Sequence, residues 1–157
     1  MNDAHLKHDT ALAALASLVR ETSDAWLQSA ELIRQTGGYR WVGLYEVTYT
    51  EIMAIAWTGS TAPAFPRFPR EKGLNGAAVA TKNAVVVQDV SVDPRYLTAF
   101  VTTGAEAIFP VVDDAGVVVG TIDVESDRRG AFTPEDEAFL RSCAAVLQPL
   151  WTARLRT

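Results

Sequence analysis

Three acids, Glu106, Asp123 and Glu125, carry the most chemistry in this sequence. The runs 106–112 and 117–125 are strand-like and flank Asp113-Asp114-Ala115-Gly116, a turn with glycine at its last position. A four-residue loop sets Val112 opposite Val117 and Glu106 opposite Asp123, with Glu125 two residues on and on the same face. That face also carries Ile108, Val119 and Thr121, while Phe109, Val111, Val118, Ile122 and Val124 face the other way. Opposed like charges cost roughly 0.2–1 kcal/mol even when wet, and more when buried. The trio is therefore either a site for a cationic group, an amine or a metal, or a hydrated strand end. A metal is disfavoured because the two histidines, His5 and His8, fall in the first predicted helix, where solvent is their expected surrounding. Register decides the matter, since a one-residue slip would separate the acids.

Other chemistry is scarce. The single cysteine, Cys143, lies on the apolar side of the last predicted helix and reads as an inert core thiol. One cysteine and no signal-like opening point to a cytoplasmic protein. Gly73-x-x-Gly76 is too short for a phosphate loop and lacks the lysine–hydroxyl ending. A haem or bilin would need a histidine or cysteine in the pocket, so no cofactor is expected. The net charge of -5, with no Lys/Arg stripe, argues against nucleic acid. Arg154 and Arg156 instead suit the end of a helix. The apolar stretch 11–19 is too short to span a bilayer.

The elements that must position the acids follow from periodicity. A 157-residue chain, 48% hydrophobic, has the size and composition of one globular domain. Two helices occupy 1–36: the first carries Leu12, Leu15, Leu18 and Val19 at helical spacing. The second begins near Thr22–Asp24, carries Trp26, Leu27, Ala30 and Ile33, and ends at Gly37-Gly38. Residues 40–126 hold the sheet and its loops. Strands over 40–48 and 52–58 form a hairpin, and the proline-bearing 59–72 reads as a long binding loop. A short helix at 73–81, a strand at 85–87 and a helical turn through Leu97 precede the acidic hairpin. The last helix, 133–156, opens on a Thr133-Pro134-Glu135-Asp136 cap and buries Phe139, Leu140, Cys143, Val146, Leu147 and Leu150. This order predicts an α+β fold with an antiparallel sheet packed on helices.

Several segments, in this order, resemble the GAF family and within it the free methionine-(R)-sulfoxide reductases. They are Trp41-Val-Gly-Leu-Tyr45, Arg67-Phe-Pro69, Gly73-Leu-Asn-Gly76 with Ala78-Val-Ala80, Gln88-Asp-Val90, Glu106-Ala-Ile-Phe-Pro110, Gly120-Thr-Ile-Asp-Val-Glu-Ser126 and Phe132-Thr-Pro-Glu-Asp136. The resemblance implies a central antiparallel sheet of about six strands, with the N- and C-terminal helices on one face and a ligand pocket under loops on the other. It places Glu106, Asp123 and Glu125 where the reductases hold their substrate, with Glu125 replacing a shorter aspartate. Trp41 and Tyr45, alternating on one strand, are candidate apolar walls or plain sheet packing. At the three places where the reductases carry cysteine, this chain has Phe65, Asn75 and Ala99. Sulfoxide reduction needs a thiolate nucleophile and usually a resolving thiol. The leading expectation is thus a non-catalytic, sensor-type domain that binds an ammonium-bearing molecule such as an amino acid, with Asn75 contributing from its turn. The alternatives are a reductase-like enzyme with altered chemistry, and a homodimeric scaffold paired through its terminal helices, where Trp151 and Leu155 extend the apolar pattern.

Overall fold

The computed structural model describes residues 2–98 and 100–155, so Ala99 and Arg156 lie outside the described residues. Helices α1 (Asp3–Glu21) and α2 (Trp26–Gly37) open the chain, followed by the strands β1 (Trp41–Val47) and β2 (Glu51–Thr58). The edge strand β3 (Arg67–Pro69), helix α3 (Gly73–Thr81) and strand β4 (Val85–Val87) come next. The hairpin β5 (Ala105–Val112) and β6 (Val118–Ser126) leads into helix α4 (Pro134–Leu155). The six strands form one antiparallel sheet in the order β3-β2-β1-β6-β5-β4. This is the expected α+β architecture.

One face of the sheet is covered by α1, α2 and α4. Ile33, Leu44, Phe109, Ile122, Val124, Leu140, Cys143 and Leu147 meet there in a core that excludes solvent. Trp151 belongs to this core, fully buried, with its indole N–H donating to the Tyr45 carbonyl at 2.9 Å. It fits because residue 120 is glycine: a Cβ there would stand 2.0 Å from the indole nitrogen. Trp151 is thus no part of an outward apolar stripe; at the chain's end Leu155 alone of that pair is exposed. α4 opens as expected, with Asp136 N–H donating to Thr133 Oγ1 and Thr133 N–H to Asp136 Oδ2.

Four local expectations are corrected. α2 begins at Trp26 behind Ala25, which supplies no side-chain cap, because Thr22 instead closes α1 by donating its N–H to the Leu18 carbonyl. The 59–72 segment is not wholly irregular: Arg67–Pro69 adds to β2 as an edge strand, where proline's missing N–H costs no ladder bond. The helical turn before β5 is a 3-10 turn at Val90–Val92, earlier than expected, capped by the Asp89 carboxylate. His8 is not freely solvated; its ring stacks on Phe139 at 4.4 Å and is half-buried. Among the described residues no helix is long and apolar enough to cross a membrane.

Candidate functional site

The register of the acidic hairpin differs from the sequence expectation by two residues. Glu106 pairs with Glu125, and Asp123 with Ile108. One residue of the difference comes from the turn, where Val112 pairs with Val118 rather than Val117. Asp113 stabilises this longer turn, its carboxylate accepting the N–H groups of Ala115 and Val117. The second comes from a bulge, since Val111 pairs with Gly120 and Val119 has no opposite number. Two single shifts add to an even number, so the acids keep a common face. The bulge does exchange two neighbours. Val119 packs with the helix-side core and Val118 with the other face, the reverse of simple alternation.

The face opposite the helices carries a pocket whose enclosed space is small, about 30 Å³, below a mouth open to solvent. Glu106, Asp123 and Glu125 form its polar end, and Tyr45, Pro63, Phe65, Phe68, Leu74 and Leu97 its apolar walls. Gly73 and Asn75 bring the first turn of α3 to the same space. A hydrated strand end is ruled out by burial: Glu106 is 6%, Asp123 5% and Glu125 1% exposed. Trp41 does not line the cavity. It packs behind Tyr45 and against Phe100, its indole donating to the Thr61 carbonyl at 3.1 Å. Gly43, between Trp41 and Tyr45, leaves room for both rings; a Cβ would come within 2.3 Å of one and 2.8 Å of the other.

Each acid has a distinct environment. Asp123 Oδ2 accepts the Asn75 amide at 3.0 Å, and the Asn75 carbonyl oxygen accepts the Thr121 hydroxyl at 2.6 Å. This orients the amide and explains why Asn75, at a turn of no catalytic promise, is buried. Asp123 Oδ1 is buried with no N–H or hydroxyl donor on it, and the Glu106 carboxyl is the other hydrogen-bonding neighbour of Asp123. Glu125 Oε1 accepts from Thr103 at 2.9 Å and from Tyr96 at 3.2 Å. Burial holds the Asp123 carboxyl up at about 6, against the hydrogen bonds from Glu106 and Asn75. Burial and then the Asp123 charge push Glu125 up to about 8. Glu106 is raised well above its ordinary value, by burial and then by the charges of Asp123 and Glu125, and it shares a hydrogen bond with Asp123. Burial, then the three acids, also push the Tyr45 phenol up. Among the described residues no group of three His, Cys, Asp or Glu side chains has metal-binding geometry. Cys143 is buried beneath α4, across the sheet from the cavity, and burial raises its thiol further.

Sequence reasoning missed Thr103, Tyr96 and Arg40, which support the acids from outside the hairpin. No short-range spacing marks them, because they reach the site through loops and neighbouring strands.

Known proteins share this arrangement of sheet and helices. A free methionine-R-sulfoxide reductase of Escherichia coli (strain K12) is 28% identical over 120 residues, covering 76% of this chain and 71% of that protein. The structure of a Neisseria meningitidis free methionine-R-sulfoxide reductase in complex with its substrate matches with a TM-score of 0.87 at 26% identity, covering 100% of this chain and 95% of that one. A type II free methionine-R-sulfoxide reductase from Thermoplasma acidophilum matches with a TM-score of 0.79 at 29% identity, over 88% of this chain and 96% of that one. The family match itself runs over residues 21–148, from the end of α1 through the whole sheet into α4, and the chain belongs to the GAF domain family.

Proposed function

We propose that this GAF domain is a sensor-type module that binds a small ammonium-bearing molecule, such as a free amino acid, in the cavity closed by Glu106, Asp123 and Glu125. The observation that carries the proposal is the burial of three carboxyls around one space whose lining residues include no Lys, Arg or His. An ammonium group brings three N–H donors and one positive charge, which match what the acids lack. Similarity to reductases of free methionine-R-sulfoxide favours an amino acid with an apolar body, suited to Phe65, Phe68 and Leu97. The chain's single thiol stands on the wrong side of the sheet for attack on a bound sulfoxide, and Phe65 and Asn75 line the cavity without a nucleophile. Occupancy, not turnover, is therefore the output, relayed to a partner or through pairing of two copies by their terminal helices.

A thermal-shift panel of methionine sulfoxide, methionine, polyamines and nucleotides tests this. A ligand of the native state at a hundredfold over its Kd adds ~2.7 kcal/mol of stability. The expected result is a shift with an amino acid or amine, lost in Asp123→Asn while that variant keeps its fold. No shift with any ammonium compound sinks the proposal.

A further inference from the structure

Arg40 does not line the cavity, yet its charge stands one hydroxyl away from the acids. It immediately precedes β1, and its backbone N–H donates to the Glu125 carbonyl at 3.1 Å, which fixes it beside the end of β6. Its guanidinium is largely buried, with Nε 2.5 Å from Asp127 Oδ1 and Nη2 donating to Thr103 Oγ1. The same group lies 4.4 Å above the Phe100 ring, which packs on Trp41 at 5.5 Å.

The hydrogen inventory makes this chain directional. A guanidinium has donors and no acceptor, so Thr103 Oγ1 must accept from Arg40. Its single proton is then committed to its other partner, Glu125 Oε1, at 2.9 Å. Oε1 thereby becomes the acceptor side of the carboxyl, with Tyr96 reaching the same atom, and Oε2 is left for the cavity. Asp123, by contrast, is met by the Glu106 carboxyl and the neutral amide of Asn75.

We infer that Arg40 is a positioning residue for the ammonium-binding site: through the Thr103 hydroxyl it orients the Glu125 carboxyl toward the cavity, and through Phe100 it backs the Trp41 ring that packs behind Tyr45. The consequence for ligand affinity rests on the proposed function; the consequence for Glu125 does not. The groups facing Glu125 are Asp123 on its own strand, Glu106 on β5, Tyr45 on β1, Tyr96 and Thr103 before β5, and Arg40 with Asp127 at the rim. Burial and Asp123 raise the acid to about 8, and the Thr103 hydrogen bond, the Arg40 charge and the Tyr96 hydrogen bond act against that rise.

The full chain, 13C-labelled at its carboxyls, provides the test, with Glu125 assigned through Glu125→Gln. In Arg40→Met the Glu125 midpoint moves up by about one pH unit, about tenfold in proton affinity. Thr103→Val moves it in the same direction, and Arg40→Lys keeps it near the wild-type value. Calorimetry with methionine sulfoxide as probe shows an affinity at pH 7 about tenfold weaker in Arg40→Met, its pH dependence displaced upward with the Glu125 midpoint. A folded Arg40→Met protein with an unmoved Glu125 midpoint overturns the inference. Should that variant fail to fold, the midpoint in Thr103→Val decides the matter in the same way. If the wild type ignores the probe, the ammonium reading falls, while the Glu125 titration still rules on Arg40.

Discussion

The two faces of β5 and β6 are made from alternate residues of the same strands, and they have opposite characters. Toward the helices, Phe109, Ile122 and Val124 lie in an apolar core in which the Trp151 indole has its acceptor. Toward the loops, residues of the same strands hold three buried carboxyls around one space. A buried polar atom without a partner costs on the order of 1–3 kcal/mol, more for a charge. One face therefore stabilises the domain, and the other, on the proposed function, holds interactions in reserve for a ligand. The proposal thus separates stability from binding across the thickness of a single sheet.

The strongest challenge to that separation is Trp151→Ala. Removing the largest side chain of the helix-side core is expected to lower stability by ~3–5 kcal/mol, measured by urea denaturation. A loss below about 1 kcal/mol would show that the helix face is not where stability resides.

The acid face makes a prediction of opposite sign, in pH. Asp123, Glu125 and Glu106 all have native values above their unfolded ones, so the native state holds more protons than the unfolded chain. Stability from these groups is complete below about pH 4 and is lost as pH rises through about 6 and on to about 8. The slope approaches about 1.4 kcal/mol per pH unit for each retained proton. Glu31 acts in the reverse sense and in another window. Held down to about 2 by hydrogen bonds from Arg34 and Thr58, it contributes above about 4.5 and loses that contribution as pH falls. Melting temperatures of the ligand-free protein from pH 5 to 8 should fall in the wild type and flatten in Asp123→Asn. A flat wild-type profile would mean that the acids are not desolvated.

The smallest stability effect is expected at the cavity mouth. Phe65 is 43% exposed, so Phe65→Ala should change stability by no more than about 0.5 kcal/mol while altering which ammonium compounds shift the melting temperature. A larger loss would make Phe65 a core residue and blur the distinction between the faces.

Much of the fold was legible because it depends on local chemistry. Helical spacing found α1, α2 and α4, the Thr133 cap marked the start of α4, and the two acidic-hairpin strands followed from their apolar runs. β3 was not legible, because three residues that follow one proline and end in another become a strand only when β2 lies alongside. The trio's shared face was legible, but for an incomplete reason: the turn and the Val119 bulge each move the register by one, and parity survives their sum. Trp41 and Tyr45 were placed on one face correctly, yet strand alternation could not tell that Tyr45 lines the cavity while Trp41 packs behind it.

By itself the sequence determined most of the elements, their order, the face that carries the acids and the presence of one thiol. Those properties rest on periodicity and composition, which act over a few residues. The tertiary structure alone decided that the acids are desolvated, that Asn75 meets Asp123, and that Arg40 reaches Glu125 through Thr103. Burial and electrostatic coupling depend on what lies across space, and residues 40, 75, 103 and 125 come together only once the sheet and its loops have closed.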